Sequence, residues 1–168
     1  MSLTMYTATV PTCTRALNNL AAILEKAAAH AEARKIAPAV LLNTRLFPDM
    51  FPLATQIHIA NDIAQSGAAR LVGATVPSFE AKERTLPEWI AATRATVAYL
   101  ESLQPSQFEG AEDRSISWQT RTSTRNMQGT PYLFHHVLPN VFFHVTTAYD
   151  ILRQAGMELG KLDYLGRN

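Results

Sequence analysis

Residues 135–153 read HHVLPNVFFHVTTAYDILR, the densest run of potential ligands and acid–base groups in the chain. Within it His136, Asn140 and His144 recur every four residues, so on a helix they form one stripe. Ring nitrogens or an amide oxygen at i and i+4 can converge on a single metal ion, as in helical zinc motifs. A further donor must then come from another segment, and His58 in TQIHIANDI is the natural candidate. Asp62, one turn later, is placed to orient that imidazole through its far nitrogen. The candidate centre is therefore His58, Asn140 and His144, holding one divalent transition metal such as Zn, Ni or Mn. Its pocket would be lined by His136, Phe143, Tyr149 and Asp62.

Each of these residues also has a plainer reading. Histidines on bundle helices usually make one hydrogen bond at the edge of a core, and Asn140 is a weak donor for zinc or nickel. Pro139 removes an internal hydrogen bond and is expected to bend or break the helix, carrying His136 out of line with His144. His30 and His135 have no partner that spacing can name. Phe142, Phe143 and Tyr149 beside His144, with Phe47, Met50, Phe51 and Phe134, read first as core or dimer surface. Asp49 reads as a cap for the following helix, and Asp150 with Arg153 as a helix-surface pair. Cys13 has no adjacent His or Lys to lower its pKa, so it is not read as a nucleophile. Gly-rich phosphate loops, GxSxG, HExxH and CxxC motifs are absent, which removes several common enzyme classes.

Positioning such residues is a matter of four long helical patterns. Leu17, Leu20, Leu24, Ala27 and Ala31 lie on one face of a helix over residues 16–35. Leu53, Ile57, Ala60, Ala64 and Leu71 do the same over 52–71, with Gly73 as the stop. Trp89, Ile90, Thr93, Val97 and Leu100 predict a third helix from Pro87 to about residue 104. The fourth spans 131–154 and stops at Gly156. A short helix is expected within 39–45, and alternation in RSISWQTRTSTR predicts a small hairpin. The tail after Gly156 is expected to be irregular. The fold class is thus all-α: a four-helix bundle with long crossing loops and a small β-hairpin insertion.

The 168 residues suit a single domain over 1–168. Fifteen Lys+Arg against fourteen Asp+Glu leave a net charge of +1, which argues against a nucleic-acid partner. No apolar run approaches the roughly 18 residues of a membrane span, so no membrane association is expected. No secretory leader is evident at the N-terminus, and a lone cysteine fits the reducing cytoplasm.

Three stretches carry a family resemblance: MYTATVPTCTRALNNLAAILEKAAAHA; RLFPDMFPLATQIHIANDIA with RLVG after it; and LPNVFFHVTTAYDILRQAG preceded by TPYLFHHV and GAEDR. Together they resemble an uncharacterised subfamily of the DinB-like superfamily over nearly the whole chain. The resemblance implies a four-helix bundle, often a homodimer, and in many relatives a divalent metal held by three histidines at one end of the bundle. Some relatives use that metal in thiol-dependent transfer or hydrolysis. The superfamily's helix-two histidine matches His58, and its last helix-four histidine matches His144. The remaining one falls at Asn140, and the subfamily commonly carries glutamine where His58 stands. The pattern implies a degenerate metal site. The reading favoured here is a metal-free, small-molecule-binding or stress-associated homodimer. The alternative is a divalent-metal-dependent hydrolase or thiol transferase using His58, Asn140 and His144. A purely structural dimerisation protein is the third.

Overall fold

A computed structural model describes residues 3–79, 83–120 and 122–166. Helix α1 (Met5–Arg34) begins well before Ala16 because Thr4 and Thr7 form a reciprocal cap. The Thr7 amide donates to the Thr4 hydroxyl at 3.1 Å, and the Thr4 amide donates to the Thr7 hydroxyl at 2.9 Å. Pro11 therefore lies inside the helix, at the loss of one backbone hydrogen bond. The expected stripe from Leu17 to Ala31 is buried in the core.

Helix α2 (Pro38–Asn43) is the expected short one, and α3 (Leu53–Val72) follows. Gly73 ends α3 in the left-handed conformation, φ 72°, its N–H returning to the Ala69 and Arg70 carbonyls. Arg114 reaches the Leu71 carbonyl, placing a cation at the negative end of α3. Pro52 provides the N-terminal boundary of α3 with no side-chain cap, so Asp49 does not cap it. Helix α4 (Leu86–Ser102) starts with a Thr85–Glu88 capping box and Pro87 in the first turn. Strands β1 (Ser115–Gln119) and β2 (Thr124–Gln128) form the predicted antiparallel hairpin, with Trp118 opposite Arg125.

The fourth rod does not break at Pro139. Helix α5 (Gly129–Tyr132), a widened π turn over Leu133–Val137 and α6 (Leu138–Gln154) follow one another without a gap. Proline cannot donate to the carbonyl four residues back, and the turn before it widens, the Leu138 N–H bonding the Leu133 carbonyl instead. The tail is not wholly irregular either: α7 (Lys161–Leu165) lies along α1. Arg15 and Asn19 donate to the Leu165 and Tyr164 carbonyls at 2.9 and 2.8 Å, and Lys26 pairs with Asp163 at 2.6 Å.

The long helices form a four-helix bundle in which α1 and α3 each pack against both α4 and α6. No helix among the described residues is long and apolar enough to cross a membrane.

Two glycines permit the closest approaches. A Cβ on Gly67 of α3 would stand 2.8 Å from both γ-methyls of buried Val137. A Cβ on Gly129 would stand 1.7 Å from the Ala111 carbonyl oxygen. Gly67→Ala is expected to cost about 1–3 kcal/mol by overpacking. Val137→Ala in the same chain should recover part of it, a coupling that urea denaturation of the four-member cycle measures. Gly129→Ala, which meets backbone, should be the more damaging of the two.

Candidate functional site

Helix α3 carries polar side chains on several faces, and each meets a different neighbour. Gln56, almost wholly buried, faces α6, and its Oε1 lies 2.6 Å from Nδ1 of His144. The Gln56 amide nitrogen donates to the Phe51 carbonyl at 3.0 Å, which turns Oε1 toward the imidazole. An amide oxygen only accepts, so His144 carries its proton on Nδ1 and keeps the Nε2 lone pair. Burial holds the His144 pKa below the ordinary imidazole value, so the ring is neutral near pH 7. Phe143, half exposed at 55%, stands edge-on to it with centroids 5.1 Å apart.

His58 is two residues beyond Gln56, a rotation of about 200° around the helix. Its ring contacts Phe79 at 5.3 Å and Trp89 at 6.3 Å between centroids, on the side of α3 that faces α4. The expected meeting of His58 with His144 is therefore corrected: the residue of α3 that meets His144 is Gln56. The Asn140 amide nitrogen donates to the His136 carbonyl at 2.6 Å. His136 itself belongs to another cluster, packed on Trp118 and Tyr132 at 4.7 and 5.3 Å. Arg70 donates to the Tyr132 hydroxyl there at 3.1 Å. Burial first, and then the Arg70 charge, lower the His136 pKa. Tyr149 points toward the tail, its hydroxyl donating to the Leu159 carbonyl at 3.4 Å. Asp62 acts on His58 through its charge, which raises the His58 pKa.

Among the described residues no group of three or more His, Cys, Asp and Glu side chains could hold a metal ion. Among the described residues the side chain hydrogen-bonded to His144 is the neutral amide of Gln56, and Asn140, one turn earlier on α6, would add a second neutral amide. That set does not fit Zn, Ni or Mn, which favour several imidazole, thiolate or carboxylate ligands.

On the other side of α3 lies a cavity of about 470 Å³, bounded by α2, α3, α4 and the segment before α4. Ala39, Leu42 and Ala54 form its apolar wall; His58, Glu83, Arg84 and Trp89 supply polar groups. Nδ1 of His58 and Nε1 of Trp89 are buried, with no hydrogen-bond partner among the described residues. The Arg84 guanidinium lies 4.8 Å from the Trp89 ring centre and 5.2 Å from that of Phe79. Burial lowers the His58 pKa most; Asp62 opposes that effect and Arg84 adds to it.

This architecture has relatives. The family described as a domain of unknown function, DUF1993, matches residues 5–165. The chain belongs to that family. A crystal structure of a DinB family member protein from Shewanella denitrificans is 41% identical, with TM-score 0.90, covering 97% of this chain and 92% of that one. Among curated proteins none matches. The DUF1993 chain accordingly has the DinB-like bundle that its sequence resembles.

Gln56, Trp89 and Arg84 are the residues that spacing alone did not single out as functional. Gln56 sits on the same stripe as Leu53 and Ala60, where a glutamine needs a buried partner, and that mismatch was the available signal. Trp89 reads as core by periodicity, and nothing in a sequence announces an unmatched indole N–H.

Gln56→Leu should destabilise the protein by about 1–3 kcal/mol, because Nδ1–H of His144 loses its acceptor in a buried place. Gln56→Glu should instead raise the His144 pKa, read by its imidazole resonances during an NMR titration. His58, His136 and His144 all have pKa values lowered by folding. The unfolded chain then binds more protons below its imidazole pKa of about 6.5. Stability is expected to be fully present above that pH and to fall as the pH drops through the folded values, measured by urea midpoints across pH 5 to about 8.

Proposed function

We propose that this DUF1993 protein is a metal-free small-molecule-binding bundle whose ligand occupies the cavity between α2, α3 and α4. The observation that carries the reading is a pair of buried nitrogens with no partner among the described residues, His58 Nδ1 and Trp89 Nε1, in side chains lining that cavity. Each lacks a contact worth roughly 1–3 kcal/mol to a buried polar group, and a ligand with suitably placed polar atoms would supply both. The volume, about 470 Å³, falls within the roughly 300–1,000 Å³ of small-molecule sites. In this reading the His144–Gln56 pair is a structural remnant of a degenerate metal site.

The alternative, a divalent-metal-dependent hydrolase or thiol transferase using His58, Asn140 and His144, needs an ion bound at His144. Elemental analysis of untagged protein separates the two: negligible Zn, Ni and Mn agrees with the proposal, and near-stoichiometric metal lost in His144→Ala supports the alternative. A thermal-shift screen then tests the pocket itself. Compounds that raise Tm in the wild type should lose their effect in Ala54→Phe, which fills the cavity; equal shifts in both proteins would contradict the reading.

The same proposal makes the protein a homodimer through the α6 face that exposes Phe142 at 39% and Phe143 at 55%. Sedimentation equilibrium should report a dimer that Phe143→Glu dissociates.

A further inference from the structure

Resting on that pocket reading, we infer that Asn61 and Thr93 are positioning residues of the pocket. The hydrogen bond between them holds the turn of α3 that carries His58 against the turn of α4 that carries Trp89.

The two helices meet in step. His58 and Trp89 form one rung, with ring centroids 6.3 Å apart. The Asn61–Thr93 hydrogen bond, 3.1 Å, forms a second rung about one turn further along both helices. Asn61 lies four residues beyond Ile57, and Thr93 four beyond Trp89. Each returns a proton to the carbonyl of that earlier residue, the Asn61 amide at 2.8 Å and the Thr93 hydroxyl at 2.9 Å. The second rung is thereby tied to the peptide that joins Ile57 to His58 and to the backbone of Trp89 itself.

Proton accounting fixes the direction of the bond. The single proton of the Thr93 hydroxyl is spent on the Trp89 carbonyl, so toward Asn61 it accepts. The Asn61 amide nitrogen supplies two protons, one for Ile57 and one for Thr93. With that amide reversed, its oxygen would face the Ile57 carbonyl oxygen and neither could donate.

One atom is left over. Asn61 is wholly buried, and its Oδ1 has no partner among the described residues. An unmatched buried acceptor costs stability, and an aliphatic side chain would bring none. A buried polar residue that breaks the packing rule without stabilising the fold marks a constraint set by function. Here that constraint is the spacing of the two pocket walls.

NMR of the full chain tests this with Asn61→Leu, Thr93→Val and Thr93→Ser. The readouts are the Trp89 indole N–H, the His58 imidazole resonances and the cross-relaxation between the two rings. Asn61→Leu, which keeps the branching of the side chain, should shift both sets of signals and weaken the ring-to-ring cross-peaks. Thr93→Val should do the same, and Thr93→Ser, which retains the hydroxyl, should keep the wild-type pattern. His144, on the opposite side of α3, should keep its signals in all three. The urea midpoint of Asn61→Leu should hold or rise, because the change strands no buried donor. Where Asn61→Leu fails to fold, Asn61→Ala reads the same signals. His58 and Trp89 signals unmoved in Asn61→Leu and Thr93→Val, or moved equally by Thr93→Ser, overturn the inference and leave the pocket reading to its own screen. Movement of His144 with them reports a general repacking of α3 and overturns it too. If the thermal-shift screen finds no Ala54→Phe-sensitive compound, the pocket reading falls and the positioning role with it.

Discussion

The rotation of an α-helix, about 100° per residue, separates Gln56 from His58 and with them the two candidate sites of this protein. On one side of α3, Gln56 closes a hydrogen bond with His144 of α6 at 2.6 Å. On the other, His58 stands against Phe79 and Trp89 beside a cavity. No rotamer of His58 changes which side of α3 its Cα presents. A centre that used His58 and His144 together would require α3 to turn about its own axis, and the rest of the helix prevents that.

What prevents it is a set of specific contacts along α3. Asn61, wholly buried, donates to the Ile57 carbonyl at 2.8 Å and to the Thr93 hydroxyl of α4 at 3.1 Å, and Thr93 donates in turn to the Trp89 carbonyl. Gly67 lets Val137 of the π turn approach α3 closely. Rotating α3 would break the Gln56–His144 and Asn61–Thr93 bonds and drive side chains into Val137. These polar groups contribute modestly to stability one at a time, yet leaving any of them unpaired in the interior is costly. They fix the helix phase, and the helix phase decides which residues share a site. Cys13 takes no part: it is enclosed by the core, and burial pushes its thiol up to about 12.

Much of the bundle was legible because hydrophobic period and capping agree along the long helices. The stripe from Leu17 to Ala31, the Gly73 stop and Pro87 at the start of α4 all lie where their residue types direct. The start of α1 was not, because the apolar stripe begins at Leu17 while the Thr4–Thr7 cap lies upstream. Pro139 is expected to bend or break the helix, and a π turn absorbs it without interrupting the rod. Arg153 does not rely on Asp150 as its partner; it donates to the Met157 carbonyl at 3.0 Å and closes the end of α6. Phe47, Phe51, Phe142 and Phe143 are exposed, so the core half of their expected role is excluded. The site was the least legible part. Spacing identified His144 and His58 as unusual, but which face each occupies depends on the phase of α3 against two neighbours, a tertiary property that periodicity does not carry.

The central claim is that ligand binding belongs to the His58 face of α3 and leaves the His144 face alone. Imidazole and indole ¹⁵N spectra, assigned through His58→Phe, His144→Phe and Trp89→Phe, report on both faces in one experiment as a stabilising compound is added. The account predicts that the His58 and Trp89 signals move together while His144 keeps the shifts of a neutral Nδ1–H ring. Movement of His144 with His58 and Trp89 unmoved would contradict it.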